Sequence, residues 1–143
     1  MIEETGRGEL RGVVVAHGEM ARGLVNAVSR ITGIDAGILH PVSNQGRSPD
    51  QLQEKILEHL GTGSAVVFTD LGAGSCTLAA RLSCRDRRRV ALVTGVNLPM
   101  LLEFVFHREM SLDELLPRLE GKARDGIRIL ARPETHVDSA VPD

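Results

Sequence analysis

The chain has 143 residues, within the size range of a single domain, and its formal net charge of −2 gives no general attraction for nucleic acid or anionic lipid. Aromatic residues make up 2% of the chain, so the side chains on which bases usually stack are nearly absent. Hydrophobic residues reach 42%, and the core must consist of Val, Leu, Ile and Ala, a mixture typical of buried parallel strands covered by helices.

Short apolar runs alternate with helical patterns along the chain. The apolar runs predict four strands, at residues 12–16, 36–42, 64–69 and 90–94. Apolar residues spaced three to four positions apart predict a helix after each strand. Gly33 and Gly61 are expected to end the first two helices, and the next two end near Ser83 and His107.

The C-terminal part of the chain adds two further elements. Residues 111–114 have the pattern of a capping box and predict the start of a fifth helix. Residues 127–130 alternate in polarity and are interpreted as a short edge strand rather than more helix. The predicted organisation is an N-terminal extension at 1–10, one domain at 11–131 and a disordered tail at 132–143.

Neither the cysteines nor the N-terminus indicates an exported protein. Cys76 and Cys84 lie in one predicted helix, roughly 12 Å apart at about 1.5 Å per residue, which is too far for a disulfide. The N-terminus lacks the apolar stretch of a signal peptide, and no apolar run approaches the roughly 18 residues of a membrane span. We therefore expect a cytoplasmic protein.

The alternation of strands and helices predicts an α/β fold, a doubly wound sheet of four parallel strands with helices on both faces. Ligands of such sheets bind beyond the carboxyl ends of the strands, where the strand order reverses. His17 and Asp70 follow the first and third predicted strands. In a sheet ordered 2-1-3-4 those strands are neighbours, so we expect the two side chains to meet at this point.

His17 and Asp70 have the chemistry of a nucleophilic imidazole and a carboxylate that fixes its tautomer. A ring nitrogen is a nucleophile only when unprotonated, and a carboxylate that accepts the proton of the other nitrogen ensures this. Helix N-termini after glycine turns supply N–H groups for phosphoryl oxygens, so Gly18, Gly74 and the Ser75 hydroxyl are candidate phosphoryl-binding groups. Spacing alone leaves open a structural histidine, the more common role after a strand.

Three segments together resemble the enzyme IIA domain of the mannose family of the phosphoenolpyruvate-dependent sugar phosphotransferase system. They are residues 13–18 (VVVAHG), 68–75 (FTDLGAGS) and 95–101 (GVNLPML). Their order and spacing match from about residue 11 to residue 130. The third segment is the most specific of them, because nothing in the chemistry of the site requires it.

This resemblance implies that His17 is the phosphorylated residue, that Asp70 orients it and that Ser75 lies near the phosphoryl group. It implies receipt of the phosphoryl group from HPr and delivery to an enzyme IIB, with the membrane reached only indirectly through a IIC/IID permease. No cofactor and no metal are expected. Members of the family dimerise, commonly by exchanging a C-terminal edge strand, a role for residues 127–130, so a homodimer is expected.

The turn after Asp70 departs from the family's usual D-x-x-G-G-S/T-P-x-N pattern. Ala73 replaces the first glycine, Cys76 the proline and Leu78 the asparagine.

Other interpretations stay open on the sequence alone. The phosphotransfer subunit of dihydroxyacetone kinase resembles this fold, but it normally has a serine where this chain has Gly18. A regulatory interaction module and a hydrolase that uses Ser75, His17 and Asp70 are the remaining alternatives. His40 ends the second predicted strand, where a local role is favoured over one in the site.

Overall fold

Strands and helices alternate in residues 9–133, the part of the chain that this computed structural model describes. A short 3-10 turn, Ala36–Ile38, precedes the second strand. The regular elements are β1 Arg11–Ala16, α1 Met20–Thr32, β2 Leu39–Ser43, α2 Pro49–Leu60, β3 Ala65–Thr69, α3 Ser75–Cys84, β4 Val90–Thr94, α4 Leu98–Phe106 and α5 Leu112–Asp125.

The four strands form one parallel sheet in the order β2-β1-β3-β4, which confirms the predicted topology. Val15 of β1 pairs with Val42 of β2 on one side and with Thr69 of β3 on the other. The carboxyl ends of β1 and β3 are therefore level and adjacent. His17 and Asp70, which follow these strands, leave the sheet at the same edge.

Two apolar layers cover the sheet because successive strand residues point to opposite faces. Val14 and Phe68 belong to the layer that includes buried residues of α1, α4 and α5. Val13 and Val67 belong to the layer formed with α2 and α3. Phe104 of α4 meets Phe68 edge to face, with ring centroids 5.3 Å apart, so α4 lies tightly against the centre of the sheet.

Helix ends follow the sequence signals. Gly33 ends α1 in the left-handed conformation, at φ +74°. Ser48 and Gln51 form a reciprocal capping box at the start of α2. Ser111 Oγ accepts a hydrogen bond from the Glu114 N–H at 3.2 Å, which caps α5 as expected.

The start of the second strand was predicted three residues too early. Asp35 Oδ1 accepts a hydrogen bond from the Gly37 N–H at 3.1 Å, and this local bond turns the backbone before β2 begins at Leu39. Apolar Ala36 and Ile38 extend the apolar pattern through the turn. The pattern therefore does not reveal where the strand starts.

Residues 127–130 form no strand within the described chain, residues 9–133. Ile127, Ile129 and Leu130 are 76%, 86% and 88% exposed. A single chain does not test pairing with a second copy, so the exchanged strand stays a prediction. The predicted extension and tail fall largely on residues 1–8 and 134–143, which lie outside the described part.

Leu10 shows where the packed part begins: it is 3% exposed and belongs to the core layer of α1, α4 and α5. None of the helices within residues 9–133 has the length and apolar character needed to cross a membrane.

Gly12 provides a test of the close packing between α4 and β1. A Cβ at this position would lie 2.6 Å from Leu39 Cδ2 and 2.8 Å from Phe104 Cε2. We expect Gly12→Ala to lower the free energy of unfolding by about 1–3 kcal/mol. Gly23→Ala in α1 is the matched control, because a Cβ at Gly23 would meet no atom within 4 Å. This change should raise the free energy of unfolding by about 0.5–1 kcal/mol. Urea denaturation measures both, and equal effects of the two changes would contradict this packing.

Candidate active site

His17 and Asp70 meet at the carboxyl edge of the sheet, as the strand order predicts. Asp70 Oδ2 lies 2.8 Å from His17 Nδ1 and also accepts the His17 backbone N–H at 2.9 Å. The other carboxylate oxygen, Oδ1, accepts the Leu71 N–H at 3.0 Å. The Asp70 side chain is 7% exposed and that of His17 is 44% exposed. The carboxylate is therefore held in place while the imidazole reaches solvent.

These contacts determine which ring nitrogen of His17 is reactive. A carboxylate oxygen is an acceptor, so in the neutral ring Nδ1 carries the proton and donates it to Asp70 Oδ2. Nε2 then keeps its lone pair. The geometry thus makes Nε2 the nucleophilic atom.

Asp70 stays ionised beside the imidazole. Burial favours the neutral acid, but the hydrogen bonds from the His17 ring and backbone outweigh it, and the pKa of Asp70 is lowered overall. A full negative charge therefore lies against the ring at neutral pH.

Two threonines hold the turn that begins at Asp70. Thr69 Oγ1 and Thr77 Oγ1 lie 2.7 Å apart in the interior. The Thr77 hydroxyl donates to the Leu71 carbonyl, and Thr69 Oγ1 lies 3.3 Å from the same oxygen. Both threonines are buried. The start of α3 is thereby tied to the end of β3, which fixes the direction in which Asp70 points.

The segment after β4 also supports this edge. The Val96 N–H donates to the Thr69 carbonyl at 3.0 Å. Asn97 Oδ1 accepts the Met100 N–H at 3.1 Å and so caps α4, while Asn97 Nδ2 donates to the Ala123 carbonyl of α5 at 3.0 Å. The 95–101 motif therefore joins β3, α4 and α5, a structural role that the chemistry of His17 does not reveal.

Gly18 follows His17 with φ +59°, a left-handed conformation that favours glycine. Its N–H donates to Asn44 Oδ1 at 3.2 Å, and its carbonyl accepts the Ser43 hydroxyl at 2.7 Å. The end of β2 thus positions the backbone next to His17. Binding of a phosphoryl oxygen by the Gly18 N–H would require the Asn44 bond to open. Asn44 was not singled out in the sequence, because a loop asparagine carries no periodic signal.

Comparisons with known proteins identify the family of this chain and agree with its fold. Residues 12–119 match the EIIA-man family, described as PTS system fructose IIA component. The chain belongs to this family. The family supports a phosphoryl-carrier role in the sugar phosphotransferase system.

Curated relatives of this EIIA-man chain include an EIIAB component and an EIIA component. The mannose-specific EIIAB component of Escherichia coli (strain K12) is 30% identical over 137 residues, which cover 91% of this chain and 42% of that protein. The chain thus spans about two-fifths of the length of that relative. The sorbose-specific EIIA component of Klebsiella pneumoniae is 25% identical over 130 residues, covering 88% of this chain and 96% of that protein.

A solved structure shares the fold of the EIIA-man chain. The phosphotransferase system component EIIA from Streptococcus agalactiae superposes with a TM-score of 0.78 at 21% identity, over 84% of this chain and 96% of that one. The likeness confirms the four-stranded parallel sheet with covering helices.

Ser75 and Gly74 lie at the exposed N-terminus of α3. Gly74 precedes the helix at φ +106°, which favours glycine there, and its carbonyl accepts the Leu78 N–H at 3.0 Å. Their part in binding phosphoryl oxygens stays a prediction.

Cys76 lies against the His17–Asp70 pair. Its Sγ is 3.8 Å from His17 Nδ1, and the residue is 1% exposed. Burial and the charge of Asp70 raise the pKa of the Cys76 thiol to about 11, although a hydrogen bond with the Ser75 side chain lowers it in part. One ligand atom each from His17, Asp70 and Cys76 lie within 4.8 Å of one another, a possible metal-binding group. Cys76 and Cys84 are both free thiols, as expected.

His40 lies in β2 opposite Val13, three positions before the carboxyl end of the strand. Its ring stacks on His59 of α2, with centroids 4.9 Å apart and planes 20° apart. Burial, followed by the charges of His59 and Arg11, lowers the pKa of His40. Burial and Lys55 likewise lower the pKa of His59. Both rings therefore favour the neutral form.

The stacked histidines make the fold sensitive to acid. The pKa values of His40 and His59 are lower in the folded state than in the unfolded chain, so the unfolded chain takes up protons first as the pH falls. The folded state therefore loses stability once the pH drops through the pKa that these histidines have in the unfolded chain. We expect the double variant His40→Gln/His59→Gln to lose less stability than the parent between about pH 8 and about pH 6 in urea denaturation. An equal loss in both proteins would show that the stacked pair does not contribute.

Proposed function

We propose that this EIIA-man domain is a phosphohistidine carrier that accepts a phosphoryl group from phospho-HPr on His17 Nε2 and passes it to an enzyme IIB. The observation that carries the proposal is the exposed imidazole whose Nδ1 is bound by a buried, ionised Asp70. Family membership supports the phosphoryl-carrier role. The relatives named as mannose- and sorbose-specific components support a place in sugar uptake or its regulation.

The transfer step uses the charge of Asp70. As the Nε2 lone pair of His17 bonds to phosphorus, the phosphorus–nitrogen bond of the donor histidine breaks, and the donor ring keeps that electron pair. The His17 ring retains its Nδ1 proton and becomes positively charged. That charge lies 2.8 Å from Asp70 Oδ2, which stabilises it. Transfer to an enzyme IIB is the same displacement, with His17 as the leaving group.

The phosphoryl oxygens need donors of their own. The exposed N-terminus of α3, with Gly74 and the Ser75 hydroxyl, follows Asp70 closely in sequence and has the N–H groups and dipole that favour an anion. We assign the phosphoryl-binding role to this helix end, joined by the Gly18 N–H once its hydrogen bond to Asn44 Oδ1 opens. The step needs neither a metal nor a cofactor.

Location and further partners follow from the same role. HPr, the phosphoryl donor, is the partner proposed for the first step, and an enzyme IIB for the second. We place the domain in the cytoplasm, in contact with the membrane only indirectly through a IIC/IID permease.

We also propose a homodimer formed along β4. This edge strand is apolar, yet all of its residues are partly or fully exposed. A groove of about 510 Å³ runs beside it, lined by residues of β4 and α5 and by Ile127. Residues 127–130 present an apolar segment next to that groove, and an unpaired apolar edge favours association. Residues 127–130 of a second copy are the proposed occupant.

The dimer is tested by Ile127→Asp/Ile129→Asp. Both side chains are more than three-quarters exposed in the single chain, so the change should leave the fold intact while preventing burial in a partner. We expect a dimer for the parent and a monomer for the variant in light scattering at high micromolar concentration. Ile31→Asp, at a 58% exposed position of α1, is the control and should stay dimeric. A monomeric parent would refute the proposal.

Asp70→Asn tests the carrier chemistry. Asparagine accepts the hydrogen bond from Nδ1 but lacks the charge, so we expect normal folding and transfer from phospho-HPr slowed roughly 10- to 1000-fold, or about 1–4 kcal/mol. His17→Ala should accept no phosphoryl group. Asp113→Asn, which removes an exposed charge in α5, controls for net charge and should transfer at the parental rate.

Thermal melting on the same preparations separates catalysis from stability. A destabilised Asp70→Asn variant with parental transfer kinetics would mean that Asp70 only holds the turn. Labelling of His17→Ala at the parental rate would show that another residue receives the phosphoryl group.

A further inference from the structure

His17, Asp70 and Cys76 bring three different ligand atoms to one point. His17 Nδ1 is 2.8 Å from Asp70 Oδ2 and 3.8 Å from Cys76 Sγ. One ligand atom from each of the three residues lies within 4.8 Å of the other two. They come from the ends of β1 and β3 and the first turn of α3. The Thr69–Thr77 contact and the hydrogen bond from the Leu71 N–H to Asp70 hold the backbone around Asp70. The three ligand residues are therefore attached to well-ordered parts of the fold.

We propose that these three side chains bind a thiophilic divalent transition-metal ion, with Zn²⁺ as the representative, and that the bound ion blocks phosphoryl acceptance by His17. The blocking part rests on the proposed carrier function; the binding part does not.

The ligand chemistry and spacing favour such an ion. Imidazole, carboxylate and thiolate are the three ligand types that zinc uses in proteins. Bonds of about 2.0–2.3 Å at tetrahedral angles separate ligand atoms by about 3.3–3.6 Å. The distance between Sγ and Nδ1 is close to this range, and Nδ1 and Oδ2 must move apart by roughly 0.5 Å. The Cys76 sulfur and the Asp70 carboxylate, whose ligand atoms lie within 4.8 Å of each other, must approach by up to about 1.2 Å. The His17 side chain is 44% exposed, so we expect water to supply the fourth ligand.

Charge balance supports the same assignment. The thiol of Cys76 gives up its proton to solvent on metal binding, as thiol ligands do. A thiolate and the Asp70 carboxylate then neutralise the two positive charges of the ion. The buried sulfur and the nearly buried carboxylate thereby form a site without net charge, which lowers the cost of holding each charge away from water.

Metal binding changes the reactive nitrogen of His17. The ion takes the Nδ1 lone pair, so the proton that Nδ1 donated to Asp70 leaves and the neutral ring carries a proton on Nε2 instead. Nε2 then has no lone pair with which to attack phosphorus. The bound ion and phosphoryl acceptance at Nε2 therefore exclude each other.

Cobalt(II) is the spectroscopic probe for binding, because a thiolate ligand gives it a near-ultraviolet charge-transfer band. The full chain has two cysteines, so Cys84→Ser leaves Cys76 as its single thiol. We expect parent and Cys84→Ser to show the band at one equivalent of Co²⁺ and to lose it when Zn²⁺ is added. In Cys76→Ser the band should be absent and the affinity at least about tenfold lower.

A Cys84→Ser protein without the band overturns the site, and this result does not depend on whether Cys76→Ser folds. A band that persists in Cys76→Ser places the metal on Cys84 and equally overturns it.

Transfer from phospho-HPr tests the blocking. One equivalent of Zn²⁺ should abolish acceptance by Cys84→Ser and slow acceptance by Cys76→Ser far less, because the second variant keeps only two of the three ligands. An effect of zinc on the donor would slow both variants equally. Acceptance by zinc-loaded Cys84→Ser at its metal-free rate would refute the block. If the metal-free protein accepts a phosphoryl group but gives no cobalt band, the metal site is refuted and the phosphohistidine-carrier function is supported. If the band appears but the metal-free protein accepts no phosphoryl group, the phosphohistidine-carrier function is refuted and the metal site is supported.

Discussion

The hydrogen bond between Asp70 Oδ2 and His17 Nδ1 is the contact on which the site depends. The two residues are 53 positions apart in the chain and meet because β1 and β3 are neighbours in the sheet. The same carboxylate oxygen accepts the His17 backbone N–H, and the other oxygen accepts the Leu71 N–H. One ionised side chain thus sets the ring orientation, the tautomer and the local charge.

The rest of the molecule holds this contact in place. The buried Thr69–Thr77 pair ties α3 to the end of β3, and Asn44 fixes the backbone after His17. Asn97 connects the next turn to α4 and α5. Catalytic geometry needs side chains held to within fractions of an ångström, which rigid elements provide better than free loops. Segments 68–75 and 95–101 of this chain therefore include residues, such as Thr69 and Asn97, that support the site through hydrogen bonds of their own.

The sheet order and the meeting of His17 with Asp70 were predictable from the sequence, because strands buried on both faces are continuous apolar runs and ligands gather where the strand order reverses. The start of β2 was not, since a local bond to Asp35 decides it. The contact between Cys76 and His17 depends on how α3 is rotated against β1, and no local pattern records that rotation. Burial of Cys76 was likewise set by packing, not by its neighbours in sequence.

Phosphoryl transfer at this site requires Nε2 of His17 to be the reactive nitrogen, and nitrogen NMR of the His17 imidazole tests this most directly. Spectra of the neutral ring should show the proton on Nδ1 before phosphorylation and the phosphoryl group on Nε2 afterwards, with Nδ1 still protonated. In Asp70→Asn the preference for the Nδ1 proton should weaken. A proton on Nε2 in the unmodified protein, or a phosphoryl group on Nδ1, would contradict the account.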